Sequence, residues 1–218
     1  MNDHRIPLDS GIAIGPILFI IAILGILAAA IAAGSGSFTS GTTNESNGTK
    51  AAALIQIGES LKVGMDRLVV GNNMPMTSVV VGVNNTTNTV DLFSPSGGGV
   101  TAPLASMAAD PINDIWYYPT AIIPDLGDGA TTGLPDRIAM IHVTQGVCDA
   151  INGKELSLDT TVTDYDAGAI GDPTSSNNDL GNLLASGKWP VALAGKFTGC
   201  INDSSNNTFW YYQVLATQ

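Results

Sequence analysis

The run from Ile12 to Ala33 constrains this chain more than any other feature. Its 22 residues carry no charge. At the helical rise of about 1.5 Å per residue they extend about 33 Å, enough for a bilayer core of about 30 Å. A secretory h-region is shorter, about 7–15 residues, and follows a clearly positive flank. Here the preceding "MNDHRIPLDSG" offsets Arg5 against Asp3 and Asp9. Three readings stand: a signal peptide cut within "AAGSGS", a plain single-pass anchor, or a helix that builds a polymer. Arg5 and the amino terminus supply what orientation signal there is, and the globular part, C-terminal to the run, is expected outside the cytoplasm.

The rest of the composition agrees with an extracytoplasmic, turn-rich domain. Only 12% of the 218 residues are charged, against 44% hydrophobic, so the chain lacks the signature of disorder. The net charge of -11 repels nucleic acid, and no nucleic-acid partner is expected. The two cysteines, Cys148 and Cys200, are too few for a cysteine-built zinc site. In an exported domain they pair as one disulfide, closing a loop of about fifty residues; otherwise they are two buried thiols.

Within the apolar run, order matters as well as hydropathy. A short polar leader ends at Gly11, Ile12 follows, and Gly25-Ile26-Leu27-Ala28-Ala29 stands deeper in the run, with Ala22 before it. This stretch resembles the N-terminal helix of type IV pilins and of the pseudopilins of type II secretion. The "GILAA" block lies at the same distance from the glycine, and the likeness covers about twenty-five residues. It implies cleavage between Gly11 and Ile12 by a prepilin peptidase. It also implies residence in the bacterial inner membrane with the C-terminal domain outside, then packing against like or related subunits in an extracellular filament. One position departs. Pilins usually carry a glutamate five residues after the cut, which neutralises a neighbour's new amino terminus; here that place holds Pro16. A proline is tolerated in the first helical turn, where its missing N–H loses little. Losing the glutamate suits a minor subunit or an uncleaved anchor.

The organisation expected is a leader over residues 1–11 and a transmembrane or filament-core helix over 12–33. A polar linker or weak helix follows over 34–49, and an extracytoplasmic domain over 50–218. Leu54, Ile57, Leu61, Met65 and Leu68 recur at helical spacing, with Glu59, Lys62 and Asp66 off that stripe and Gly71 as a C-terminal cap. Short strands follow. "MTSVVVGVNN" and "TNTVDLFSP" read as a hairpin, and "SPSGGGVTAP" as a loop. "DIWYYPTAII" reads as a strand region interrupted by Pro119. "LPDRIAMIHVTQGVCDAINGKEL" reads as a strand to about Val143 and then a short helix with Val147, Ile151 and Leu156 on its apolar side. The last segment, "GKFTGCINDSSNNTFWYYQVLATQ", reads as a final hairpin. The fold class expected is α+β, a helix packed on an antiparallel sheet, which is also the pilin ground plan.

No Walker loop, dinucleotide fingerprint, nucleophile elbow or HExxH occurs, and neither an enzyme nor a cofactor is expected. His142 sits in the strand-like "IAMIHVT", where a structural role is the simpler reading. The acidic loops "DLGDG", from Asp125, and "DTTVTDYDAGAIGD", with Asp164 and Asp166 two apart, do not complete an EF-hand and read as solvated turns. Trp116, Trp189 and Trp210 could form a carbohydrate-binding face on an anchored module, the rival function, but their strand-like settings favour core packing. The Asn-X-Ser/Thr triplets at Asn44, Asn47, Asn85 and Asn206 are expected by chance in so Asn- and Thr-rich a chain.

Overall fold

The computed structural model describes residues 23–24, 43–81, 89–103, 115–127, 135–155 and 189–218. The chain divides into two units, Met1–Thr43 and Asn44–Gln218. In the first, Ile23 and Leu24 are helical and exposed. The expected cleavage site Gly11–Ile12, Pro16, Ala22 and the block Gly25 to Ala29 lie outside the described residues. Among the described residues no helix is long and apolar enough to cross a membrane.

The described part of the second unit is α+β: two helices packed on a curled four-stranded antiparallel sheet. Helix α1 spans residues 43–66, so the polar stretch 43–49 is helical rather than a linker. Thr49 donates its hydroxyl to the Glu45 carbonyl one turn back at 2.9 Å, a back-bond that competes mildly with the backbone ladder. The expected apolar stripe faces inward. Leu54, Leu61, Met65 and Leu68 are buried, and Ile57 is partly so. Lys62 and Asp66 pair on the outer side at 3.0 Å, an i,i+4 contact worth only a few tenths of a kcal/mol.

The helix ends in a wider turn, Arg67–Gly71. Gly71 does not take the left-handed cap expected of it. That conformation falls two residues later on Asn73, φ 53°, asparagine being the other residue that adopts it readily.

The strands are β1 (Thr120–Ala121), β2 (Asp136–Val143), β3 (Thr198–Asp203) and β4 (Thr208–Ala216), in the order β1-β2-β4-β3. Helix α2 (Gln145–Ala150) follows β2 directly and runs into a second wide turn, Ile151–Glu155. All eight residues of β2 are buried, because β1 and β4 flank it and both faces are covered. Pairing Ile141 with Tyr211 and Tyr211 with Cys200 puts those three on one face. The disulfide and Gly58 mark that face as the helix side. Met140, Tyr212 and Gly199 lie on the other. There Leu193 and the Tyr212 ring close over Gly199, where any Cβ would crowd both. An aromatic side chain laid across a strand glycine restores the contact the glycine lacks.

The β3–β4 turn is organised by Asp203. Its carboxylate accepts the backbone N–H groups of Ser205 and Asn206, both at 3.1 Å, and the Asn206 amide at 2.9 Å. Asn207 then takes φ 53°. This is the turn chemistry that aspartate and asparagine supply.

One expected hairpin is not an antiparallel pair. Val80 and Asp91 form a single parallel bridge, with Val80 N–H on the Val90 carbonyl at 3.0 Å and Leu92 N–H on the Val80 carbonyl at 2.9 Å; residues 82–88 lie outside the described set. Beyond the bridge the chain coils at once into a compact loop. Asp91 accepts Phe93 N–H at 2.9 Å, Gly98 N–H returns to the Asp91 carbonyl at 3.0 Å, and Gly99 has φ 68°. Gly98 is pressed against the Leu92 backbone, and that approach, not composition alone, calls for its glycine.

Candidate functional site

Two buried constellations join the helices to the sheet. The first contains the expected disulfide. Cys148 on α2 is bonded to Cys200 on β3, with Cα atoms 5.3 Å apart. Both residues are fully buried. Four residues after Cys148, one helical turn on, stands Asn152, also fully buried. Its Nδ2 donates to the Cys200 carbonyl at 2.9 Å, and Cys200 N–H donates to its Oδ1 at 2.9 Å. A carboxamide offers one donor and one acceptor at the spacing of a peptide group. Asn152 therefore occupies the outer edge of β3 as a neighbouring strand would, covering polar groups that an edge otherwise presents for pairing.

The second constellation lies between α1 and β4. Tyr211 Oη donates to Gln213 Oε1 at 3.1 Å and receives the Thr198 hydroxyl at 3.3 Å. Gln213 Nε2 reaches Glu59 Oε1 on α1 at 3.4 Å. Gly58 faces this group: a Cβ there would overlap the Tyr211 hydroxyl and crowd Gln213. Burial drives the Tyr211 phenol far above its ordinary pKa, with Glu59 adding to the effect and the Thr198 hydrogen bond opposing it. Tyr211 thus stays a neutral donor. Burial does the same to Tyr118 and Tyr212.

His142 lies on the opposite face of β2, buried, with its ring centroid 3.5 Å from that of Trp210. Tyr117 meets Trp210 edge-on at 5.8 Å, and Trp189 meets Tyr212 edge-on at 4.9 Å. Trp116 packs on the helix side against Tyr211 at 6.0 Å. All three tryptophans are buried, so they pack the core, and Trp189 gives its indole N–H to the Leu193 carbonyl at 3.1 Å.

Asp125 is exposed, in a left-handed turn at φ 63°. Asp164 and Asp166 lie outside the described residues. Among the described residues no group of three or more His, Cys, Asp or Glu side chains could hold a metal ion.

Asp136 is a fully buried carboxyl at the start of β2. It accepts Gln218 N–H at 3.2 Å. Burial raises its pKa above the ordinary aspartate value, against the backbone N–H groups of Gln218 and Ile123, which lower it.

Sequence reasoning found the disulfide but missed Asn152, Gly58, Gln213 and Asp136. For Asn152 the only signal was its place one helical turn after a cysteine. For Gly58 it was a glycine inside an otherwise regular apolar stripe, where a close packing contact is the usual reason.

Comparisons with protein-family models, with curated proteins and with solved structures gave no match.

Proposed function

We propose that this chain is a structural subunit of a type IV pilus-like filament or of a secretion pseudopilus, and a minor one. The observation that carries the reading is the spacing in the apolar run, Gly11 followed at pilin distance by Gly25-Ile26-Leu27-Ala28-Ala29. The second unit supports it. A long helix leads into an antiparallel sheet, and a disulfide ties the last hairpin to the fold. On this reading the subunit waits in the bacterial inner membrane with its domain outside. A prepilin peptidase then trims it, and it enters a filament beside like or related subunits through the N-terminal helix. Pro16, in place of the usual glutamate, leaves it without the charged partner for a neighbour's amino terminus, which is why a minor role is preferred. The rival, a membrane-anchored binding module, gains nothing from the tryptophans, which are buried.

Intact-mass measurement of the native protein tests the proposal. A chain beginning at Ile12 is expected. One beginning at Met1 would leave a plain anchor, and one beginning near Ser35 a cleaved signal peptide. Single cysteines placed along Ile12–Ala33 should crosslink to other subunits in sheared filaments; a solitary module would give no such products.

A further inference from the structure

The sequence contains two Asn-Gly dipeptides, Asn47–Gly48 and Asn152–Gly153. In an open chain this dipeptide is prone to cyclise, because glycine has no side chain to hinder its own nitrogen. The glycine nitrogen loses its proton and bonds to the asparagine carboxamide carbon. Ammonia leaves, and water then opens the succinimide to aspartate or isoaspartate. In the closed domain three features keep Asn152 out of that reaction. It is fully buried. Its carboxamide is held by both bonds to Cys200. Its backbone lies in the helical turn Ile151–Glu155, which aims the following N–H along the helix axis and away from its own side chain. The burial and the carboxamide clamp depend on α2 staying against β3, and Cys148, one turn earlier, is bonded to the very residue that Asn152 grips.

We propose that Asn152–Gly153 is a latent modification site, closed to succinimide chemistry while the Cys148–Cys200 bond holds α2 on β3 and opened when that bond is reduced. A dithiol reductant supplies the two electrons and two protons that turn the disulfide into two thiols, and is itself oxidised to a disulfide. Once Asn152 has become aspartate, its carboxylate can still accept Cys200 N–H but can no longer donate to the Cys200 carbonyl. Isoaspartate also lengthens the main chain by one carbon inside the turn. A reversible loss of the disulfide thereby becomes a permanent loss of the clamp.

The test uses the full chain in detergent micelles at mildly alkaline pH, kept oxidised or reduced with dithiothreitol, beside a urea-unfolded sample. Peptide masses report amide-to-acid conversion at Asn152. If the disulfide contributes about 2–5 kcal/mol, its loss enlarges the open population about thirtyfold or more, at tenfold per 1.4 kcal/mol, and conversion should accelerate by that factor. Conversion in the oxidised protein at the urea-unfolded rate would overturn the proposal, as would equal rates with and without reductant. Gly153→Ala, made in the same chain and reduced, supplies a second measurement, since a methyl group hinders the attacking nitrogen. Conversion should then slow sharply. A variant that converts as fast as the parent shows that the loss does not pass through the succinimide, and the proposal fails.

Discussion

Gly58 of α1 sits directly against the Tyr211 hydroxyl of β4, too close for any side chain. The helix can approach the sheet this far only because that position is bare. The hydroxyl, in turn, is satisfied by Gln213 and Thr198. Gly58→Ala inserts a methyl into this group. Overpacking of this kind typically costs about 1–3 kcal/mol, more than alanine's advantage of about 1 kcal/mol in helix propensity can offset. The urea midpoint is expected to fall. Tyr211→Phe should relieve part of the loss by clearing the hydroxyl, so the two changes should be non-additive in a double-mutant cycle. Strict additivity would show that the methyl meets something other than Tyr211.

The disulfide and the Asn152 clamp act on the same strand. Replacing Cys148 and Cys200 by serine together should lower stability by about 2–5 kcal/mol. Asn152→Ala strands one donor and one acceptor of Cys200 in a dry site, at a cost of about 1–3 kcal/mol each where water cannot enter. Hydrogen exchange at the Cys200 amide discriminates between the residues nearby. It should quicken in Asn152→Ala far more than at Tyr211 on the central strand. Unchanged protection at Cys200 would remove Asn152 from the edge.

Asp136 should make the domain acid-tolerant over a defined range. Its folded pKa lies above its unfolded one, so between the unfolded value of about 3.9 and the raised folded value the native state holds more of its proton. Stability therefore falls as pH rises through that window and stays reduced above it. Asp136→Asn keeps an acceptor for Gln218 N–H and cannot ionise. Its melting midpoint should exceed the parent's at pH 7, with the gap closing as pH is lowered towards 4. A gap that is absent or reversed at pH 7 would mean the carboxylate is better solvated than its burial implies.

Pro16→Glu restores the residue that pilins usually carry, and follows from the proposed function. In a filament built with related subunits it should raise the amount of this protein recovered by shearing. A parent protein that alone forms abundant filaments, lost in Pro16→Glu, would overturn the minor role.

How much of this was legible beforehand differs from element to element, for physical reasons. Leu54, Leu61, Met65 and Leu68 announced α1 because one face of a helix repeats every three or four residues. "DRIAMIHV" announced a buried strand, and the Asp203–Asn207 turn announced the last hairpin, since both signals are local. The helical turn after α1 does end at Gly71, but the left-handed position was misplaced there, because asparagine, here Asn73, also adopts it readily. The Val80–Asp91 contact was misread as a hairpin because a short apolar run does not say which way its partner points. Of the two buried constellations, only the cysteine pair was visible. Asn152 meets Cys200 across 48 positions and Gln213 meets Glu59 across 154; the one local hint was that Asn152 follows Cys148 by a helical turn, and nothing beside Gln213 points to Glu59.

The strand order carries a consequence for how such a chain is made. β4 comes last of the four described strands, yet it lies between β2 and β3. Until residues 208–216 have left the ribosome, β2 lacks its longest partner, and β3 lacks the one strand that pairs with it among the described residues. The sheet cannot be assembled progressively as the polypeptide emerges, and pairings of this sequence separation are slow to form. Before that strand emerges, the sheet stays open between β2 and β3. A sheet that is still open is the condition that the proposed export requires of a chain threaded through a narrow channel, and it closes only when β4 arrives.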